Sequence, residues 1–527
     1  MRARLLYRNR DFDFGAGLPP GHQDLTQDLA LPRLLAAMAA GDKFLYEVSE
    51  KVLFACLSDP EAIRYRQQVL ADCLALPALV REMYAIAVGA LEDNRTLWSI
   101  YGGDYQTPSG NLSGAVAHLE AYAARLRQLR KIADEHVDEF RSDGMTAMLG
   151  TLRQELDDEY LAEVTSRLKE LRFRSGVLIS AELDRDNSGI DFVLRSPGEG
   201  RRPWRERLGI GPRSSYSFTL DPRDDAGGQI LDDLTSRGLN LAANAAAQSA
   251  DHMRSFFTML RAELGFYVSC LNLADRLAAK GVPVTVPEPA KASSLTFSCT
   301  DLRDTCLELQ SPDAVVGNDV TADGKPLVII TGANSGGKST FLRSVGVAQL
   351  MMQCGLFVTA RSYGADVAEG IFTHFIRAED PGMSSGRLDD ELRRMSVIAD
   401  RISPYSFVLF NESFAGTNER EGAEIGYQVV RALLDSQVKV FFVSHRYEFA
   451  ERFRRRHGDT TLFLRAERRP GGQRNYKLAV GDPLPTSFGE DLYYRLGVWL
   501  DEDKRDSGRS PPDLGVPGGQ PGLGERT

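Results

Sequence analysis

Apolar positions recur at three-to-four spacing over residues 26–174. Leu31, Leu34, Leu35 and Met38 form one such stripe, and Leu119, Tyr122, Leu126 and Leu129 another. This period predicts amphipathic helices, about four to six of them, with charged outer faces. Breaks are expected at Asp59-Pro60 and from Gly102-Gly103 through Ser109-Gly110. The first 25 residues are polar with Gly and Pro and read as an extended arm. Over residues 175–225 the pattern changes. Val177–Leu183 and Ile190–Leu194 flank Asp186-Asn187-Ser188-Gly189, which predicts a hairpin, with Tyr216–Leu220 as a third strand. Helical spacing returns over 226–285, with Phe256, Leu260, Leu264, Tyr267 and Leu271 on one face. From 286 to 500, strand-like apolar runs alternate with helical stretches, the pattern of an α/β domain with a mainly parallel sheet. Residues 501–527 are rich in Asp, Pro and Gly, too polar to build a core, and read as a disordered tail.

Composition narrows the reading. At 527 residues the chain is too long for one ordinary domain. The net charge of −10 excludes a polycation, so any nucleic-acid contact must come from a local basic patch. One such patch is the stretch with Arg201, Arg202, Arg205, Arg207 and Arg213 around Trp204. Arginines interleaved with an aromatic suit a nucleic-acid backbone, and equally a solvated loop. The six cysteines are scattered without a Cys-x-x-Cys pair, which argues against a zinc site or a disulfide framework and fits a reducing cytoplasm. No stretch is long and apolar enough to span a bilayer, so no membrane partner is expected.

Chemistry concentrates at Leu327–Ile330, an apolar run that enters the turn Gly332-Ala333-Asn334-Ser335-Gly336-Gly337-Lys338-Ser339-Thr340. Strand, glycine-rich loop and helix start are the parts of a phosphate-binding P-loop. Glycines let backbone N–H groups turn inward around phosphate oxygens, and the helix N-terminus adds partial positive charge. Lys338 is expected to reach the β- and γ-phosphates of ATP, and Ser339 to ligate Mg²⁺. Asn334 either positions water or the γ-phosphate or only shapes the turn.

A second apolar run, Phe407–Phe410, ends in Asn411-Glu412 and reads as a Walker B strand. Glu412 is the expected general base, because orienting and deprotonating a water requires a carboxylate within hydrogen-bond reach. Asn411 stands where an Asp ordinarily supports the metal, and its neutral amide is expected to slow turnover. Val440–Val443 leads to Ser444-His445, and His445 is read as a γ-phosphate sensor. Glu412, His445 and Lys338 are thus the candidate catalytic set, with Ser339, Asn411 and Glu412 around the metal.

Together these motifs resemble the ATPase domain of the MutS family of mismatch-repair proteins. GANSGGKST resembles the family's G-P-N-x-G-G-K-S-T, with Ala333 for Pro. GLFVTA at 355–360 resembles G-x-[FY]-V-P-A, and IFTHF at 371–375 resembles I-F-T-R-[VI]. NESFAGTNEREG at 411–422 matches D-E-x-x-x-G-T-S-x-x-[DE]-G at Glu412, Gly416, Thr417 and Gly422. SHRYEF at 444–449 resembles T-H-[YF]-x-E-L, and Tyr476, Leu478, Gly481, Ser487 and Gly489 follow the family's closing pattern. The helical region resembles the family's lever and core.

The resemblance implies an α/β P-loop (ABC-type) ATPase domain with a large all-α lever and core domain and a small β insertion. It further implies a homodimer with composite nucleotide sites, completed by the segment holding Ser384, Ser385 and Gly386 ahead of Glu391. There the usual Ser-x-Phe reads Gly386-Arg387-Leu388. No room is left for the mismatch-reading N-terminal domain, and the long clamp is replaced by the strand segment, so a truncated relative is expected. The function implied is ATP binding and hydrolysis coupled to a clamp-like change on DNA. The alternative is a nucleotide-gated scaffold with little hydrolysis. A transporter ATPase is disfavoured because no Leu-Ser-Gly-Gly-Gln stretch occurs.

Overall fold

The computed structural model describes residues 1–101, 107–173, 176–185, 189–195, 219–221, 223–377, 386–468 and 474–484. Two units emerge. One holds residues 1–18, 35–55 and 61–276; the other holds 19–34, 56–60 and 277–527. In chain order the helices are α1 (His22–Asp28), α2 (Leu31–Ala39), α3 (Lys43–Phe54), α4 (Pro60–Ala75), α5 (Pro77–Tyr101), α6 (Pro108–His136), α7 (Asp143–Glu155) and α8 (Asp158–Glu170). Strands β1 (Leu178–Leu183) and β2 (Gly189–Arg195) follow, then helix α9 (Asp225–Ala278).

The first unit is helical. Asp42, Thr107, Ser142 and Asp157 cap α3, α6, α7 and α8 by accepting from backbone N–H groups of the first turn. From α2 to α8 there are seven helices, more than periodicity predicted. The extra division arises at Leu76-Pro77, where Pro77 starts a new helix and the chain turns by 102° with a single residue between α4 and α5. Ser109 and Gly110, expected in a break, lie in the first turn of α6. At 54 residues, α9 is about 80 Å long. Its inner face includes Phe257, stacked on Tyr122 at 5.4 Å between ring centroids. The β1–β2 pair is antiparallel, and the expected turn at 186–188 lies outside the described residues. Of the third expected strand, Tyr216–Phe218 lie outside the described residues, and Thr219 and Leu220 form no strand.

The first residues, read in sequence as part of an extended arm, include a buried apolar run. Ala3, Leu5, Leu6 and Tyr7 are buried. Their backbone groups are met by side chains distant in sequence. Glu263 accepts from the N–H groups of Leu5, Leu6 and Phe12, Arg66 donates to the Leu6 carbonyl at 2.8 Å, and Tyr267 donates to the Leu5 carbonyl at 2.7 Å. These partners let a short apolar run among arginines bury its backbone without a sheet.

The second unit carries β3 (Glu288–Ala290), β4 (Phe297–Leu302), α10 (Thr305–Gln310), β5 (Asn318–Thr321), β6 (Leu327–Gly332), α11 (Lys338–Gln353), β7 (Ser362–Asp366), β8 (Ile371–Phe375), α12 (Arg387–Ala399), β9 (Phe407–Asn411), α13 (Glu419–Asp435), β10 (Lys439–Val443), α14 (Tyr447–His457), β11 (Thr461–Arg468) and β12 (Arg474–Val480). Its main sheet has the order β12-β11-β6-β10-β9-β8. All neighbours are parallel except β12, which runs antiparallel to β11. A smaller sheet has the order β3-β7-β4-β5. Helices α12, α13 and α14 pack on one face of the main sheet through Ile398, Val430 and Phe453. On α11, Gly346 allows close packing: a Cβ there would lie 2.6 Å from Leu409 of β9. Strands covered on both faces read as unbroken apolar runs, which is why β6, β9 and β10 were visible in sequence. Residues 354–360, after α11, are buried but form only an isolated bridge between Val358 and Thr285. No single helix among the described residues is long and apolar enough to cross a membrane.

Burial raises the Glu263 carboxyl from its ordinary 4.5 to about 7, against backbone N–H donors that favour its charge. The folded state therefore holds the proton more tightly than the unfolded chain. The resulting stabilisation is full below about pH 4.5 and is lost as pH rises through about 7. Glu263→Gln keeps an acceptor but cannot ionise. Thermal unfolding followed by circular dichroism is expected to show the native chain losing stability relative to this variant as pH rises across that window. Parallel curves for the two proteins would contradict the assignment.

Candidate functional site

The register of the main sheet assembles the site. Strand β10 lies between β6 and β9, pairing Val443 with both Ile330 and Asn411. The carboxyl ends of these three parallel strands therefore emerge side by side, delivering Gly332, Ser444-His445 and Asn411-Glu412 to one edge. This is where ligands bind in open α/β sheets.

Leu327–Gly332 is fully buried, and the turn after it is shaped by backbone geometry and close packing. Gly332 has φ of 105° and Gly337 φ of 89°, both in the left-handed region. Gly336 is small for a different reason: a Cβ there would sit 2.7 Å from the Ala466 Cβ of β11. Ala333 is buried, whereas Asn334, Ser335 and Ser339 are exposed, and Thr340 is half-buried. The Lys338 Nζ is buried and donates to the carbonyls of Gly332 (3.0 Å) and Ala333 (2.9 Å). Burial lowers its pKa, partly offset by Glu412. Ser339 Oγ donates to Asn411 Oδ1 at 2.9 Å, so the first turn of α11 touches the end of β9.

Glu412 lies beside His445, with Oε1 and Nδ1 3.8 Å apart. The His445 contact is the largest of the influences that hold the Glu412 carboxyl below its ordinary value, and Lys338 adds to it. Glu412 is thus a charged, half-buried acceptor at the strand end. Its backbone has φ of 55°, and Phe414 follows with φ of 62°. Two non-glycine residues in the left-handed region within one turn mark a strained segment.

Beside the turn, a cavity of about 230 Å³ is lined by Val315, Val316, Gly337, Thr340, Phe341 and Tyr476 among others. Asn318 braces it by donating to the Tyr476 carbonyl at 3.2 Å and accepting from the Leu478 N–H at 2.8 Å. Val315, Val316 and Asn318 were not singled out by sequence reasoning. No local pattern marks them, since they face the turn only through the pairing of β5 beside β4 and the approach of β12.

Of the remaining candidates, Gly386 directly precedes α12, and Ser384 and Ser385 lie outside the described residues. So do Arg201, Arg202, Arg205 and Arg207. Three groups flank the Glu412 turn: His374 and Arg446, which had no separate role in the sequence reading, and Glu391, noted there only with the partner-subunit segment. His374 is buried, and burial lowers its pKa to about 4, so the ring is neutral. Its Nε2–H then donates to the Glu391 carbonyl (2.9 Å), and its Nδ1 lies 2.8 Å from the Ser413 hydroxyl, which donates to the His374 carbonyl (2.5 Å). Arg446 donates to the Phe414 carbonyl at 2.7 Å. Glu391 is buried, with its charge supported by Arg387 and by the backbone N–H groups of Phe414 and Gly416 against a burial penalty that raises its pKa.

Comparison with known proteins agrees with this architecture. Residues 58–280 match the family description MutS2 N-terminal domain, and residues 328–482 match MutS domain V. The chain is similar to MutS protein homolog 4 of Mus musculus, 30% identical over 200 residues, covering 37% of this chain and 19% of that one. The DNA mismatch repair protein MutS of Thermotoga sp. (strain RQ2) is 35% identical over 137 residues, 26% of this chain and 17% of its own. The corresponding protein of Synechococcus elongatus is 23% identical over 475 residues, 80% of this chain and 51% of its own. The chain thus spans about half or less of the length of these curated relatives. With two family domains matched in order and the P-loop, Glu412 and His445 gathered on one edge, the chain belongs to the MutS family.

Proposed function

We propose that this protein binds and hydrolyses ATP at the Gly332–Thr340 turn and couples the nucleotide state to a dimeric, clamp-like change on DNA. The observation that carries the reading is the 2.9 Å contact between Ser339 and Asn411, with Glu412 and His445 on the same sheet edge. The P-loop supplies inward-facing backbone N–H groups and the N-terminus of α11 for the phosphates. Lys338 is held on loop carbonyls, and its ammonium is available to exchange them for phosphate oxygens. The cavity lined by Val316, Phe341 and Tyr476 has the apolar walls that a purine base requires.

Among the described residues no group of three His, Cys, Asp or Glu side chains could hold a metal ion. The oxygens of Ser339 and Asn411 nonetheless fit Mg²⁺, which takes one or two protein oxygens, waters and substrate phosphates. Ser339 and Asn411 would hold the ion, with Glu412 nearby, and the ion would supply positive charge to the phosphoryl oxygens. Its countercharge comes chiefly from the nucleotide, because Asn411 brings none. Glu412, already ionised, accepts a proton from the attacking water, and His445 orients that carboxylate and senses the γ-phosphate.

The second reading is a nucleotide-gated scaffold that barely hydrolyses ATP, and the neutral Asn411 favours it. A unit charge at about 4 Å is worth on the order of 4 kcal/mol at an effective dielectric constant of about 20, enough to alter metal affinity strongly. Asn411→Asp separates the readings. Faster phosphate release at limiting Mg²⁺, with ATP affinity preserved, marks the amide as the brake on turnover. An unchanged rate assigns the slow step elsewhere.

Lys338→Ala is expected to abolish ATP binding in calorimetry, whereas Glu412→Ala should bind ATP and lose at least roughly a hundredfold in turnover. Full turnover by the Glu412 variant would refute the assigned base. The proposed DNA role is tested by ATPase rates with and without duplex, mismatched and branched DNA at fixed salt. The dimer is tested by light scattering with and without a hydrolysis-resistant ATP analogue. Stimulation by DNA and a nucleotide-dependent doubling of mass are expected. Absence of both would leave a plain nucleotide hydrolase.

A further inference from the structure

The turn after β9 is strained at both Glu412 (φ 55°) and Phe414 (φ 62°), and such backbone persists only where its surroundings over-determine it. Phe414 is fully buried, and its ring stacks on the neutral His374 at 5.3 Å. The buried Arg446 guanidinium bridges the segment, donating to the carbonyls of Phe414 (2.7 Å), Thr417 (3.4 Å) and Glu419 (3.4 Å). Room for that guanidinium exists because residue 422 is glycine: a Cβ there would lie 1.4 Å from Arg446 Nη1.

Helix α12 packs against the same segment. A Cβ on Gly416 would lie 2.6 Å from the Leu388 nitrogen, so the first turn of α12 rests directly on this segment. One turn further along, Glu391 carries a carboxylate only 5% exposed, with Arg387 Nε 3.5 Å from Oε1. Neither carboxylate oxygen has a hydrogen bond of ordinary geometry among the described residues. Its main chain, by contrast, is fixed by His374, which also holds Ser413. A buried charge is costly unless paired, and this carboxylate has one guanidinium at 3.5 Å and no ordinary hydrogen bond, a cost that packing alone does not explain.

We propose that Glu391 and Arg446 are positioning residues for Glu412. Arg446 holds the strained turn through its carbonyls and Glu391 belongs to the helix start packed against it, and together they fix the direction in which the Glu412 carboxylate leaves the sheet edge. Neither touches the expected phosphate position, so their effect falls on the chemical step and not on nucleotide affinity. His374 links this arrangement to β8, tying the start of α12 to the base through one ring. The inference rests on Glu412 acting as the base for ATP hydrolysis.

The test uses the full chain and the variants Glu391→Gln, Glu391→Asp and Arg446→Lys. Steady-state kcat and KM are measured alongside the affinity for a fluorescent ATP analogue and the thermal midpoint. Glu391→Gln and Arg446→Lys are expected to lower kcat by roughly tenfold or more, with KM and analogue affinity changed less than about threefold. Glu391→Asp should restore part of kcat, because it returns the charge. Should Glu391→Gln fail to fold, Arg446→Lys carries the same comparison. Unchanged kcat overturns the proposal. So does a loss of kcat matched by equal losses of affinity and thermal stability, which would mark a purely structural role. A native chain that binds no nucleotide sinks the underlying ATPase reading, whereas normal turnover in the variants sinks only this inference.

Discussion

The parallel register of β6, β10 and β9 joins the two halves of the site, and the hydrogen bond from Ser339 to Asn411 marks where they meet. One partner opens the helix after the P-loop, and the other ends the strand that presents Glu412. The bond is possible because β10 separates β6 from β9 by a single strand, so their carboxyl ends lie within reach of side chains. Any slip in the register of this parallel trio would carry Glu412 away from the phosphate turn, and the buried apolar side chains on both faces of each strand resist such a slip.

Around that contact, residue size and backbone angle matter more than sequence motif letters suggest. Gly332 and Gly337 are required by positive φ, whereas Gly336, Gly416 and Gly422 are required by what lies against them: Ala466, the start of α12 and the Arg446 guanidinium. The same local economy places a neutral imidazole at 374 and a guanidinium at 446. Where the family pattern has Arg after I-F-T, this chain has a buried His. Where the pattern has an aromatic after its His, this chain has Arg446, whose guanidinium donates to the Phe414 carbonyl.

Much of the site was legible in sequence because its chemistry is local. The P-loop is one contiguous turn, and the strands before Asn411 and His445 are apolar runs with no polar interruption. What escaped reading is what depends on non-local pairing. The strand order cannot be inferred from periodicity. The burial of Leu5 and Leu6 relies on Glu263, Arg66 and Tyr267, which are far away in sequence, so the start of the chain looked like a polar arm. The sharp turn at Leu76-Pro77 was not among the breaks expected in the helical region. Glu391 was noticed only as part of a motif, since nothing in its neighbours announces that its carboxylate lies beneath Phe414. The arginine stretch at 201–207 and the serines at 384 and 385 fall outside the described residues, so the DNA and partner-subunit expectations rest on sequence alone.

The most direct test is a crystal structure of the chain with Mg²⁺ and a hydrolysis-resistant ATP analogue. The account predicts triphosphate wrapped by Gly332–Thr340, a cation parting Ser339 from Asn411, the base beside Tyr476 and the γ-phosphate facing Glu412 and His445. Nucleotide bound elsewhere, or a Ser339–Asn411 bond left closed beneath a nucleotide that avoids the turn, would contradict it.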